Sequence, residues 1–318
     1  MEHEIIGEVA KAALETTVIY GSGSVDKKGP GPRAKVAHKA LERGMNLLFF
    51  TCGMIAVAFV LIISIYLVIS GMPAILEIGP INFLFGTRWY ASTNDFGIFA
   101  IILTSFAGTA GAILVGVPVG LMTAIFLSKV APPKVAAVIH MAVELLAGIP
   151  SVVYGFFGLV VLVPFVRDNF GGDGSSILTA SILLGIMILP TIVSLSETSL
   201  RAVPKSYREA SYGLGASEIQ TIFKVTIPAA KSGIATAIVL GVGRAIGEAM
   251  AISLVSGSSV NAPLPFHSVR FLTTAIVAEM GYAADLHRQV LFTIGLVLFV
   301  FIMIINMTLN KILKGEKE

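Results

Sequence analysis

The chain has 318 residues and a net charge of +3, and 55% of its residues are hydrophobic while only 13% are charged. A soluble domain carries about 25% charged residues, so this composition excludes a water-covered globule, and the net charge, with no basic stripe interleaved with aromatics, is too small to argue for nucleic acid. The single cysteine, Cys52, excludes a disulfide framework and a cysteine-built metal site, and the five histidines show no ligand spacing.

The first 45 residues contain Glu2, Glu4, Glu8 and Glu15 and lack a compact apolar core with a cleavage site, so they do not read as a secretory signal. Residues 4–19 are open to a short amphipathic helix or to no structure, and residues 21–33 (GSGSVDKKGPGPR) read as a flexible linker. Six apolar stretches follow, at roughly 46–70, 96–128, 135–165, 176–198, 232–256 and 289–312. Each reaches the ~20 residues with which a helix crosses a bilayer. The second and third exceed that length and are expected to tilt, kink or run past the bilayer. Pro118, Pro150 and Pro190 lie inside spans, where neighbouring helices satisfy the freed backbone groups.

Orientation follows from the cations in the connections. Lys11, Lys27, Lys28, Arg33, Lys35, Lys39 and Arg43 precede the first span, and Lys129 and Lys134 separate the second from the third. Arg201, Lys205, Arg208, Lys224 and Lys231 lie between the fourth and fifth, and Lys311, Lys314 and Lys317 follow the sixth. The alternate connections hold only Arg88, Arg167, Arg270 and Arg288. The positive-inside rule then predicts that both termini are cytoplasmic. The longest outward connection, about 257–288, carries Asn261, Pro263 and Pro265 and is expected to hold a short helix lying at the surface.

The connection 199–231 is the most informative. Residues 209–228, EASYGLGASEIQTIFKVTIP, are amphipathic, with turn punctuation at Gly213 and Gly215 and a stop at Pro228. Such a segment suits docking of a short helix into a groove on a soluble partner; the alternative is a solvated connecting loop. It resembles the signature cytoplasmic loop of ABC importer permeases, a Glu-Ala-Ala triplet, three residues, a glycine, nine residues and Ile-x-Leu-Pro. Glu209, Ala210 and Ser211 match the triplet, Gly215 the glycine, and Val225, Ile227 and Pro228 the close, with every spacing intact. In that family the loop is the coupling helix that seats in the ATP-binding subunit. LAGIPSVVYGFFGL at 146–159, FLFGTRW at 83–89 and GRAIGEAMAISLVSG at 243–257 resemble the phosphate importer permeases, and FLFGT and GEAMA point to the PstC type.

Arg244 and Glu248 lie inside the fifth span, and as i and i+4 of a continuous helix they would share a face one turn apart. A lone charge at the bilayer centre costs roughly 2.5–3.5 kcal/mol on insertion scales, so such residues face a cavity or a partner. The resemblance implies a substrate path, with the Arg244 fork donating to an oxyanion and Glu248 holding the arginine and weakening its grip so that the anion leaves. The alternative is a self-neutralised ion pair that only fixes packing. His140 and Glu144 repeat the spacing and read as a satisfied pair, and Glu197 and Arg201 as an exposed interfacial pair worth little.

The resemblance implies an all-α integral membrane protein with six transmembrane helices, the type I ABC importer permease architecture and cytoplasmic N and C termini. Residues 1–45 form a cytoplasmic segment, 46–312 the permease domain and 313–318 a tail. The implied function is the permease subunit of an ATP-driven, binding-protein-dependent phosphate importer in the cell inner membrane. Glu209, Ala210, Gly215, Ile227 and Pro228 couple it to the ATPase. No G-x-x-x-x-G-K-[ST] occurs, and Gly241, Gly243 and Gly247 have the wrong spacing for a nucleotide loop. The chain is therefore expected to be no enzyme and to carry no cofactor, with ATP and Mg held by the partner. The implied partners are cytoplasmic ATP-binding subunits, a second, paralogous permease, an extracytoplasmic phosphate-binding protein and membrane lipid. The alternatives are a permease for molybdate, tungstate or sulfate and an ion-coupled secondary transporter, which commonly has inverted repeats or broken helices; no internal repeat is evident.

Overall fold

The computed structural model of the chain describes the backbone of residues 32–315 and the side chains of residues 42–308. Residues 4–19, most of the linker read over 21–33 and residues 316–318 lie outside the described residues. Pro32 and Arg33, counted with that linker, already belong to the first helix.

In chain order the helices are α1 (Pro32–Ile78), α2 (Pro80–Phe85), α3 (Phe99–Ile125), α4 (Pro133–Gly148), α5 (Ser151–Phe157), α6 (Val163–Phe170) and α7 (Ile177–Arg201). They continue with α8 (Lys205–Gly213), α9 (Glu218–Thr221), α10 (Ile227–Ala229), α11 (Lys231–Gly247), α12 (Met250–Val255), α13 (Leu272–Glu279) and α14 (Asp285–Gly315). Strands β1 (Trp89–Tyr90) and β2 (Asp95–Phe96) pair antiparallel as a hairpin, Trp89 opposite Phe96. Three π-helical turns, at Phe126–Val130, Gly158–Leu162 and Ile222–Thr226, interrupt the α-helical pattern.

Among the described residues five helices are long and apolar enough to cross a membrane, Glu42–Ile78, Phe99–Val130, Ser151–Phe170, Ile177–Arg201 and Asp285–Thr308. A sixth is reached when the bent pair formed by the segment Glu218–Ala229 and α11, which meet at 70°, is counted as one span. The chain divides into two compact units at residue 62. The first contributes the beginning of α1, whose large apolar side chains, Phe49, Phe50 and Phe59 among them, are exposed, as a lipid-facing helix requires.

The second unit is organised around α7. Leu183, Leu184, Met187, Ile188 and Ile192 are fully buried on it, and α3 lies against it along a seam of small residues. A Cβ added to Gly116 would stand 2.8 Å from the Gly185 carbonyl oxygen, so the two backbones touch. Close approach of this kind holds membrane helices together where no hydrophobic drive exists between them. A second cluster, Ala74, Phe83, Phe96, Ile98, Leu272, Ala275 and Leu291, joins the end of α1, the hairpin, α13 and α14.

The third span, expected to tilt, kink or run past the bilayer, is broken, and the fifth differs from the continuous helix expected. The third breaks at Ile149, whose backbone is extended (φ −71°, ψ 126°) ahead of Pro150; a proline disfavours helical geometry in the residue before it. The fifth breaks at Glu248, also extended (φ −71°, ψ 131°), with no proline nearby. The connection 257–288 does hold a short helix, α13, whose one side is packed inward: Leu272, Thr273, Thr274, Ala275 and Glu279 are enclosed, while Val277 is 45% exposed.

Candidate functional site

The 209–228 segment folds as an elbow of two arms. The first arm, α8, ends at Gly213, and the turn passes through Gly215 at φ +82°. A Cβ there would meet nothing within 4 Å, so the demand for glycine is conformational and not steric. Ser217 then starts α9 with a capping box, its Oγ accepting from Gln220 N at 3.3 Å while Gln220 Oε1 accepts from Ser217 N at 3.0 Å. The arms are pinned by a 2.9 Å hydrogen bond between the buried hydroxyls of Ser211 and Thr221. Ser211, a departure from alanine in the motif, thus has a structural task.

The elbow presents an apolar surface outward. Leu214 at the turn is 90% exposed and Ile219 is 70% exposed. Glu209 and Ala210 lie on the exposed side of α8, Pro228 is exposed at the start of α10, and Ile227 is half-buried. On its inner side Ile222 packs in one cluster with Ala124 and Ile125 of α3, Leu200 of α7 and Ile234 of α11. A force on the outer face therefore reaches three spans through contiguous packing.

Arg244 and Glu248 do not share a helix face, because α11 ends at Gly247 and Glu248 is extended. The Glu248 carboxylate turns to the next helix, accepting from Ala251 N at 3.1 Å. The Ala251 amide, which in a continuous helix would donate to Gly247 O, is thereby taken by a side chain, and Glu248 N closes the end of α11 onto Ala245 O at 3.4 Å. Arg244, in the last turn of α11, has no ion-pair or hydrogen-bond partner among the described residues. The C-terminal end of a helix carries partial negative charge, which favours a cation there.

The other interrupted span lies beside it. Gly155 of α5 approaches α12 so closely that a Cβ would stand 2.8 Å from Ala251 Cα, backbone against backbone. Tyr154 of α5 donates its hydroxyl to Leu146 O at 2.7 Å, bridging the Pro150 break, and shares one buried cluster with Ala245, the residue after Arg244, against which Ile149 packs. A Cβ added to Gly148, Gly243 or Gly247 would meet nothing within 4 Å, so both breaks border open space. Non-helical backbone at membrane depth is tolerated only inside protein or along a polar cavity. An unpaired cation beside two such breaks can bind and release an anion.

Two polar clusters were not anticipated by local spacing. His140 faces Glu197, with Nε2 3.3 Å from Oε1, and not Glu144. Glu197 is buried, its side chain 7% exposed, and takes the Arg201 guanidinium at 2.7 Å. The pair expected to be a weak surface contact is thus a buried carboxylate at the end of α7. Arg201 also donates to Leu127 O at 3.4 Å and Lys129 to Leu200 O at 2.9 Å, tying the ends of α3 and α7 together. Arg201→Ala leaves the carboxylate enclosed with only His140. Because Arg201 is itself 56% exposed, the expected loss is about 2 kcal/mol, below the 3–5 typical of a fully buried pair. Thermal unfolding in detergent checks this: an unchanged midpoint would contradict the role given to the pair. The second cluster surrounds Glu279, described below; its one sequence clue is an acidic residue in an apolar stretch.

Residues 116–315 match the family model described as the binding-protein-dependent transport system inner membrane component. The "Probable ABC transporter permease protein YqgH" of Bacillus subtilis is 41% identical over 273 residues, 82% of this chain and 88% of that protein. The "Phosphate transport system permease protein PstC" of Xylella fastidiosa (strain Temecula1) is 34% identical over 269 residues, 77% of this chain and 83% of that protein. Among solved structures, an inward-facing form of the MetNI methionine ABC transporter superposes with a TM-score of 0.56 at 19% identity, covering 71% of this chain and 99% of that chain. The fold is that of an ABC importer permease, and the chain belongs to the binding-protein-dependent inner membrane components, as a multi-pass transport subunit of the inner membrane.

Proposed function

We propose that this chain is the permease subunit through which an ATP-driven importer passes phosphate, in a pair with a second, paralogous permease. ATP hydrolysis, with its Mg, resides on separate subunits that receive the elbow at 209–228, and an outer phosphate-binding protein delivers the anion. In this account the elbow, both termini and the ATPases share the cytoplasmic side. The observation that carries the proposal is Arg244, without an ion-pair partner among the described residues, in the last turn before the break of the fifth span, its neighbour Ala245 clustered with Tyr154 and Ile149 at the break of the third. Discontinuous helices commonly frame substrate sites in transporters. The substrate class is supported by the PstC relatives, 34% identical from Xylella fastidiosa and 36% identical from Mesorhizobium japonicum.

Each group has a task. The Arg244 guanidinium offers a planar fork to two oxygens of the anion. Glu248 sits at the break as a cap and adds negative charge near the bound anion, which limits affinity and favours release. Glu209, Ala210 and Gly215 shape the outer face of the elbow, and Ile227 and Pro228 form its junction with α11 at the 70° bend. ATP-driven closure of the partner subunits moves the elbow, and the Ile222 cluster carries the movement into α3, α7 and α11.

Broken helices by themselves also suit an ion-coupled transporter, so interruption of two spans does not discriminate between the classes. The elbow and the family membership do. The substrate is tested by labelled phosphate uptake in cells lacking their own permease, given this chain and its partner subunits. Uptake is expected to resist an excess of sulfate, molybdate or tungstate. Uptake abolished by one of these anions would reassign the substrate to it.

A further inference from the structure

The helix α13 is fixed at both ends by hydrogen bonds that reach far along the chain. At its C-terminal end the Glu279 carboxylate is 7% exposed. It accepts from Trp89 Nε1 at 3.2 Å and pairs with Arg270 Nη1, and His287 Nε2 lies 2.7 Å from its second oxygen. These three partners come from the hairpin, the connection before α13 and the start of α14. Arg270 is itself steadied by donating from Nε to Ser258 O at 2.9 Å. A carboxylate buried this far is tolerated only when its lone pairs are met, and here three segments converge on α13 to meet them.

At the other end, Thr273 Oγ1 donates to the Glu248 carbonyl at 2.7 Å. That carbonyl lies at the break of the fifth span, where no intrahelical amide takes it. Leu272 N donates to Ser105 Oγ at 2.9 Å, which pins the same end to α3. The Glu279 hub is open on one side, where a pocket of about 480 Å³ is lined by Arg88, Trp89, Ser258, Asn261, Arg270 and Glu279.

We propose that α13 is a positioning strut, in which Glu279 anchors the helix to the outer segments and Thr273 holds the Glu248 carbonyl, so that together they set where Arg244 is presented. The inference rests on the path role given to Arg244. Thr273 touches no substrate; it acts through the break. Loosening the hub, or removing the hydroxyl, leaves the binding site chemically intact and misplaced.

The test uses the complete importer, with its ATPases, partner permease and binding protein. Thr273→Val keeps shape and removes the donor; Thr273→Ser keeps the donor. Thr273→Val is expected to lower the maximal phosphate uptake rate about fivefold or more, the scale of one lost hydrogen bond. The concentration of loaded binding protein giving half-maximal rate is expected to stay unchanged, and Thr273→Ser is expected to recover most of the rate. Glu279→Gln is expected to fall similarly, and the Thr273→Val/Glu279→Gln double variant to be no worse than the lower single, since both act through one helix. If Glu279→Gln fails to assemble, the Thr273 pair decides alone. Uptake by Thr273→Val near the wild-type rate, or no rescue by serine, would overturn the proposal. Arg244→Ala is measured alongside. An inactive Arg244→Ala with a normal Thr273→Val removes the strut and keeps the path; an active Arg244→Ala removes both.

Discussion

Arg244→Ala is expected to abolish phosphate uptake while the subunits assemble in wild-type amounts. Arg244 has no ion-pair partner among the described residues, so its removal orphans no buried carboxylate and costs the fold little. What disappears is a charged donor with two parallel N–H groups. Hydrogen bonds to charged groups are worth about 1.5–3 kcal/mol each, and a bidentate contact loses two of them, a fall of roughly 100-fold or more in rate. Arg244→Lys keeps the charge and loses the fork, and should fall between alanine and wild type. The readout is labelled uptake normalised to assembled complex. Normal uptake by the alanine variant would remove Arg244 from the path.

Leu214→Asp is expected to separate the chain from its ATPase without harming the chain itself. Leu214 stands at the tip of the elbow and is 90% exposed, so an aspartate there is well solvated in the free permease. Seated in a groove, the same position would bury an unpaired charge. Central apolar anchors at interfaces are typically worth about 2–4 kcal/mol, a weakening of roughly 30-fold or more. Co-purification of the ATPase with tagged permease is expected to fail for the variant, and transport with it. Wild-type co-purification would show that the elbow tip does not enter the partner.

Five spans, and a sixth if the bent pair is counted as one, are legible in the sequence because bilayer thickness imposes a length, and runs such as 176–198 meet it with almost no charge. The elbow is legible because its turn is written locally, in Gly215 and in the Ser217/Gln220 cap. The break at Ile149 is written in Pro150. The break at Glu248 is not. Residues 244–251, RAIGEAMA, are mostly strong helix formers. What interrupts them is tertiary, including a threonine hydroxyl from 25 residues further on. The Glu279 hub is more distant still, since Trp89 lies 190 residues away in sequence. Helical spacing matches His140 to Glu144, yet the buried carboxylate on the neighbouring helix, Glu197, wins it. Spacing along one helix finds neighbours on that helix; it is silent about which of them another helix takes.

The most direct measurement is phosphate accumulation in proteoliposomes holding this chain, its partner permease and the ATPase subunits, with loaded binding protein outside and nucleotide inside. The account predicts accumulation that requires ATP, ceases with a non-hydrolysable analogue and is absent when the ATPase subunits are left out. Phosphate accumulation that persists without them would contradict it.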